Sequence, residues 1–408
     1  MDNKILLEPK ETMTTTTYIE ESAEPMHQLK LLPILIGLAI ASVIGLSFGI
    51  HAMVVGHHHT LATTREVPWG LLITPYFFFA CLGTGLCVVS SLGQVFRIEA
   101  LQPIIPRTVF LAMVAMATGL MCITLELENP WRVGLNALFS PHPSSNIWWK
   151  TTIYSLYMIF MLFNYLSLIV KKEKMARIFA TVALVAVTLG IMNMNSDMAT
   201  LGSKGFWNEN YMPIYFLSLS TIIGCAAVLL FSWLGRVMNG RKSNIAEDRA
   251  LQATGKLFMF LLLGFLYFTI VKIMGGYAPT FTKNPEAMFL LVQGDFALNF
   301  WVGEVGLVVL IPLLLILVSR GKQIPVLVIA GISCLIGAFV LFYDLVIVGQ
   351  LIPHFHQYNV VDLPEYYSYS PSLHEFMISG GSILFFLTAF IFGEIIIRRY
   401  FSAASAEG

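Results

Sequence analysis

The chain has 408 residues, 24 of them basic and 24 acidic for a formal net charge of zero, with 57% hydrophobic and only 12% charged residues. Soluble domains hold about 25% charged residues, so this composition excludes an ordinary soluble fold, and without a basic excess nothing points to nucleic acid. Five cysteines, Cys81, Cys87, Cys122, Cys225 and Cys334, sit inside apolar runs and form no Cys-x-x-Cys, which removes the usual iron–sulfur and zinc spacings; they read as buried apolar thiols.

In chain order, residues 1–28 are polar and lack the short apolar core and small-residue cleavage site of a signal peptide. They read as a disordered cytoplasmic tail, with a second tail at 398–408. Between the tails, apolar runs fall at about 29–56, 69–96, 104–127, 146–170, 175–201, 210–236, 252–278, 295–319, 324–348 and 372–397. Each meets the ~20 residues that a helix needs to cross the hydrocarbon core. The fold class is therefore all-α, a polytopic membrane protein with ten spans over 29–397. Ala287 to Gln293, ahead of the eighth run, is also apolar and fits a short interfacial or re-entrant piece before Gly294.

The second run, opening Pro68-Trp69-Gly70 and continuing through Tyr76-Phe77-Phe78-Phe79 to Gly83-Thr84-Gly85, organises the rest. Its aromatic half holds one phenolic hydroxyl, Tyr76, and its small-residue middle lets another helix approach closely in lipid. Such a helix can wall a pocket for a flat lipid-soluble molecule. The third run ends in Glu126-Leu127-Glu128-Asn129-Pro130-Trp131-Arg132, and up-and-down threading brings Tyr76 and Glu126 to the same membrane face.

Basic residues set the orientation. The loops after the even-numbered spans and the C-terminal end carry most of them, among them Arg97, Arg107, Lys171, Lys172, Arg241, Lys242, Arg320, Arg398 and Arg399. The other side has Arg65, Arg132, Lys150, Lys204, Lys283 and, near a helix end, Lys272. Both termini are expected in the cytoplasm, with Tyr76, Glu126, Arg132 and His142 toward the outside. The last long loop, Gly349 to Pro371, also faces out, and its Pro, His and Tyr suit a docking surface.

Acids at membrane depth are expensive and therefore informative. Glu126 and Glu128 end the third span, Asp197 lies late in the fifth, Asp295 and Glu304 fall in the eighth, Asp344 in the ninth, and Glu375 and Glu394 near the ends of the tenth. A poorly solvated carboxyl can exchange protons near neutrality. The plainer alternative is that such acids cap helices or pair with Arg132 and Lys272; it is preferred for Glu375, near a helix start, and for Glu394, beside Arg398. Intramembrane haem needs axial ligands at depth. His51 is close to the end of the first span, His57 to His59 lie beyond it, His142, His354 and His356 fall in outer loops and His374 starts the last helix, so none is at mid-depth.

Three pieces carry a resemblance. Pro68-Trp69-Gly70 with its aromatic helix and Gly83-x-Gly85, then Glu126 ahead of Asn129-Pro130-Trp131-Arg132, then Tyr343-Asp344 to Gln350 followed by Tyr369-Ser370-Pro371-Ser372-Leu373-His374-Glu375, together resemble the longer, ten-span members of the NrfD/polysulfide-reductase membrane-subunit family. The resemblance covers most of the chain from Pro68 to Glu394. It implies a quinone-binding quartet of helices at 69–201 and a second quartet at 210–348. It also implies electron exchange between a membrane quinol, menaquinol by expectation, and an extracytoplasmic iron–sulfur subunit of the four-cluster ferredoxin type, with a molybdopterin reductase, a multihaem cytochrome or a hydrogenase as further subunits. No haem or iron–sulfur cluster is expected in this chain itself.

The expected catalytic residues are Glu126, Tyr76 and Arg132. Trp69, Tyr76, Phe79, Gly83 and His142 are expected at the quinone, and Glu128, Asp197, Asp295, Glu304 and Asp344 on a proton path. The chain departs from the family pattern: Tyr76 stands where a histidine is frequent, Glu126 where aspartate is usual, Glu128-Asn129-Pro130 where Gly-Arg-Pro is usual, and Asn193 where many longer members have a histidine. Two other classes compete. A proton-coupled secondary transporter would use the acids of the second quartet, although the broken helix pair expected of such carriers is not evident apart from Pro312. A structural anchor would have no quinone site. A Cys-rich ferredoxin-like subunit encoded next door would favour the redox readings.

Overall fold

The computed structural model describes residues 26–200, 205–207, 211–240, 244–277, 285–353 and 364–402. Ten helices among them are long and apolar enough to cross a membrane: α1 Met26–Val55, α2 Ile73–Gln94, α3 Ile105–Glu126, α4 Asn146–Ile169, α5 Glu173–Thr200, α6 Met212–Met238, α7 Ile245–Tyr277, α8 Asn299–Val318, α9 Ile324–Val348 and α10 Leu373–Ser402. The protein is an all-α, multi-pass membrane protein. α1 begins three residues inside the stretch expected as a tail, and residues 1–25 and 403–408 lie outside the described residues.

Local chemistry sets the helix ends. Prolines occupy the first turns of α3, α6 and α9, where a missing N–H costs nothing. Beyond α2, α4 and α8 the chain turns through Arg97, Lys171 and Arg320 in the left-handed region, with φ of 58°, 54° and 50°. These cations complement the helix C-termini, so the basic residues that bias one membrane face also stop helices there. The expected apolar piece before Gly294 is a short helix, Pro285–Val292, whose face toward the bundle is buried. α8 opens as a π-helix over Asn299–Leu310 and becomes α-helical at Ile311-Pro312. The wider turns spare the ring of Pro312 a clash with the preceding turn.

Packing follows α2. It lies against α3 and α5, α4 pairs with α5, and α3 touches α4, which closes one quartet; α6 with α7, α8 with α9, α6 with α9 and α7 with α8 close another. The axis between them is α2 against α6, and in the apolar stretches of these two helices 83% and 78% of residues are buried, against 11% in α1. A Cβ on Gly85 would sit 1.7 Å from the Ser220 carbonyl oxygen, and one on Gly224 would sit 2.3 Å from the Gly85 backbone. The two backbones touch, which is how helices associate in lipid. α1 and α10 form a separate pair laid against α3.

At one end of the bundle Arg107 of α3 donates to Glu394 of α10 and to Glu247 of α7, and Asn239 donates to the second oxygen of Glu394 at 3.0 Å. The plain reading of Glu394 as an ion-pair acid holds, with Arg107 as its partner. Tyr76, Glu126 and the Pro-Trp-Gly turn lie at the opposite end.

Candidate functional site

The two distant motif pieces meet at the Tyr76 end. The Trp69 N–H donates to Gln350 Oε1 at 2.9 Å, and Gln350 Nε2 returns bonds to the carbonyls of Trp69 and Val346 at 3.0 and 2.8 Å. Trp69 stacks on Trp207, with ring centroids 5.2 Å apart, and the Trp207 indole donates to the Leu345 carbonyl. A Cβ on Gly70 would meet a carboxylate oxygen of Glu375, so a larger residue there would have to displace that side chain and its hydrogen bonds. That carboxylate accepts from four donors: the N–H groups of Ala62, Leu71 and Ser372 and the Tyr369 hydroxyl. The Ser372 hydroxyl accepts in turn from the Glu375 N–H, completing a capping box at the start of α10. Burial and the adjacent Glu375 carboxylate push the Tyr369 phenol well above its ordinary range. Glu375 is thus a structural hub, as its place near a helix start implies.

Tyr76 turns toward the interior of the first quartet. The Lys150 ammonium of α4 lies 5.8 Å from the centre of its ring, and Lys150 is itself buried, an arrangement in which ring and cation attract. One turn on, Tyr154 is fully buried with no hydrogen-bond partner for its hydroxyl among the described residues. The Tyr157 hydroxyl reaches the carbonyls of Gly83 and Ala112 at 3.4 and 3.5 Å. Sequence reading counted Lys150 only as a charge on one membrane face. The missed signal was periodicity: Lys150, Tyr154, Tyr157 and Met161 recur at helical spacing and are all buried.

The other expected site residues are dispersed. Glu126 is the last residue of α3, half-buried, and its neighbour Leu125 bonds through its carbonyl to the His57 ring at 3.2 Å. Gly119, two turns earlier on α3, packs against the Tyr76 backbone, so Glu126 stands about 10 Å along the helix axis from that level. Arg132 and His142 are exposed and line one open groove of about 350 Å³ with Asn136, Ser145, Trp148 and Thr151. No ion pair joins Arg132 to Glu126 among the described residues. Phe79 packs on Phe386 of α10, and Gly83 backs onto Ala112 and Met116 of α3. Both are helix-packing positions.

The proton-path candidates also separate. Glu304 accepts from Lys272 Nζ at 2.6 Å and stands 3.5 Å from the Tyr215 hydroxyl, while Lys272 lies 5.6 Å from the centre of the Phe300 ring. Asp344 accepts from Asn299 at 2.9 Å, and its other oxygen has no partner among the described residues. The π-helical turns of α8 carry both Asn299 and Glu304. Asp295 is exposed in the turn before α8, which begins four residues later than the apolar run, and Glu128 is exposed as well. Asp197 falls within α5, but its side chain is outside the described residues. His354 and His356 are outside them too, whereas His51 and His374 meet, with ring nitrogens 3.0 Å apart on the surface. Sequence reading could not find that pair, because the docking of α1 on α10 leaves no local trace.

Among the described residues no group of three or more His, Cys, Asp or Glu could hold a metal ion. Comparison with known proteins finds relatives along most of the chain. It is 27% identical over 368 residues to a subunit of the selenate reductase of Mesobacillus selenatarsenatis, covering 79% of this chain and 84% of that one. It is 22% identical over 356 residues to the Hdr-like menaquinol oxidoreductase integral membrane subunit of Archaeoglobus fulgidus, covering 85% and 89%. Residues 59–354 match the family described as polysulphide reductase, NrfD. That match takes in the Pro-Trp-Gly turn, the Tyr76 helix and both quartets, and the chain belongs to the NrfD polysulphide reductase family.

Proposed function

We propose that this chain is the quinone-reactive membrane subunit of a bacterial respiratory oxidoreductase complex, exchanging electrons between menaquinol and an extracytoplasmic iron–sulfur subunit. The buried cluster of Tyr76, Lys150 and Tyr154 carries the reading. A cation and phenolic hydroxyls enclosed at one end of a membrane bundle suit the oxygens of a flat, lipid-soluble head group. Family membership supports it, as do the relatives named as a menaquinol oxidoreductase membrane subunit and a selenate reductase subunit.

Oxidising one quinol to quinone releases two electrons and two protons. In this mechanism Lys150 and Tyr76 hold the quinone oxygens, and protons leave toward Glu126, with Glu128 and Arg132 at the surface beyond it. Electrons pass directly to the partner's cofactor, a four-cluster ferredoxin-type subunit, and onward to a molybdopterin, multihaem or hydrogenase subunit. Glu304 and Asp344, with Lys272, make a second proton path in the other quartet. The membrane is the bacterial cytoplasmic membrane with both termini inside. In intact cells an impermeant thiol reagent should then label a cysteine introduced at Glu66 and spare one at Lys172.

The central test is menaquinol turnover by the purified complex. Lys150→Met should lower catalytic efficiency by about 10- to 100-fold, the worth of a hydrogen bond from a charged donor, while the subunits remain assembled. Wild-type turnover in that variant would move the quinone elsewhere. The buried Lys272–Glu304 pair beside Asp344 favours one other reading, a proton-coupled carrier, which requires solute-driven proton uptake by vesicles holding this chain alone.

A further inference from the structure

The short helix Pro130–Phe139 joins α3 to α4 and has no buried residue. Trp131, Leu135, Leu138 and Phe139 recur at helical spacing as one stripe, and they are 59%, 53%, 77% and 81% exposed. The side turned from the stripe, with Arg132, Val133, Asn136, Ala137 and Ser140, lines the 350 Å³ groove over Ile147, Trp148 and Thr151 of α4. The Trp148 indole donates to the Ala137 carbonyl at 3.1 Å and holds this face down.

Two observations say what covers the apolar stripe. The helix follows Glu126, the end of a spanning helix, after Leu127 to Asn129, and it is followed by Ser140 to Ser145 before α4 begins, so both ends are tied to the membrane surface. α4 also presents an exposed apolar face, Trp149, Leu156, Ile159 and Phe163, of the kind a spanning helix turns to lipid. A helix set between two spans, with an exposed apolar stripe that carries aromatic anchors, lies in the bilayer interface.

We propose that Pro130–Phe139 lies in the interfacial lipid with its stripe among the acyl chains, and that its groove-lining side roofs a lateral portal by which a long-tailed, lipid-soluble ligand enters the first quartet. Thr151 on the portal floor follows Lys150 along α4 and sits about 100° round the helix from it, and Lys150, which does not line the groove, faces Tyr76 inside the bundle. The identity of the ligand as a quinol rests on the proposed function; the seat of the helix in lipid does not.

The test uses the whole complex in lipid nanodiscs. A spin label on Leu138→Cys should collide with oxygen in preference to a water-soluble nickel chelate, and a label on Glu66→Cys should do the reverse; chelate-dominated collisions at Leu138 overturn the lipid seat. Trp131→Glu/Leu138→Glu should then raise KM for a long-tailed menaquinol about tenfold, the loss of one buried apolar side chain, with kcat unchanged and a short-chain, water-soluble quinol unaffected. An unchanged KM, or equal loss with both quinols, overturns the portal. If the wild-type complex turns over neither quinol, the quinone reading falls, and the spin labels still decide the position of the helix.

Discussion

Two lysines are buried at the same end of the bundle, one in each quartet, and they are held differently. Lys272 is answered by a carboxylate 2.6 Å away, so its charge is neutralised within the protein. Lys150 lies against the ring of Tyr76, one turn from a Tyr154 hydroxyl without a partner among the described residues. A buried polar group left unsatisfied is costly unless something completes it. The proposed function places the ligand in the first quartet, beside the Tyr154 hydroxyl, and leaves the Lys272–Glu304 pair of the second as a structural or proton-storing element.

Several substitutions can break or sharpen that contrast. The largest effect is expected from Glu126→Gln, which keeps size and hydrogen bonding but cannot accept a proton. General acid–base groups contribute about 10²- to 10⁴-fold, so menaquinol turnover should fall on that scale while the complex stays assembled; a wild-type rate would direct attention to Asp197 or His142. Next comes the second quartet. Lys272→Met leaves Glu304 buried without its partner, and breaking such a pair costs about 3–5 kcal/mol. Thermal unfolding of the complex should register that loss, and Lys272→Met/Glu304→Leu should recover most of it. If the single variant is as stable as wild type, the pair is not a structural element. The smallest effect belongs to Tyr76→Phe, which removes one neutral hydrogen bond worth about 0.5–1.5 kcal/mol and should raise KM for menaquinol severalfold with little change in kcat. A change confined to kcat would put Tyr76 in proton transfer instead of binding.

Much of the fold was legible because lipid allows few solutions. All ten spans, the short apolar helix before Gly294 and the close approach at Gly83-Thr84-Gly85 follow from run length and residue size. The plain readings of Glu375 and Glu394 also held, since an acid near a helix end has nearby donors. The site was less legible. Tyr76 and Glu126 share an end of the bundle, yet Tyr76 turns toward α4 while Glu126 lies beside the His57 turn. Asp295 falls in an exposed turn because an apolar run does not mark where its helix begins.

The sequence by itself determined the number of spans, their alternation and the location of charged groups along each, because hydrocarbon penalises every exposed backbone and charged group in a way that length and composition record. Tertiary structure alone decided which helices are neighbours and which way each side chain turns. The backbone contact of Gly85 with Gly224, the pairing of Lys272 with Glu304 thirty-two residues away, and the meeting of Lys150 with Tyr76 depend on helix rotation and crossing. In lipid these are set by side-chain packing between distant segments, for which no local pattern in the chain is required.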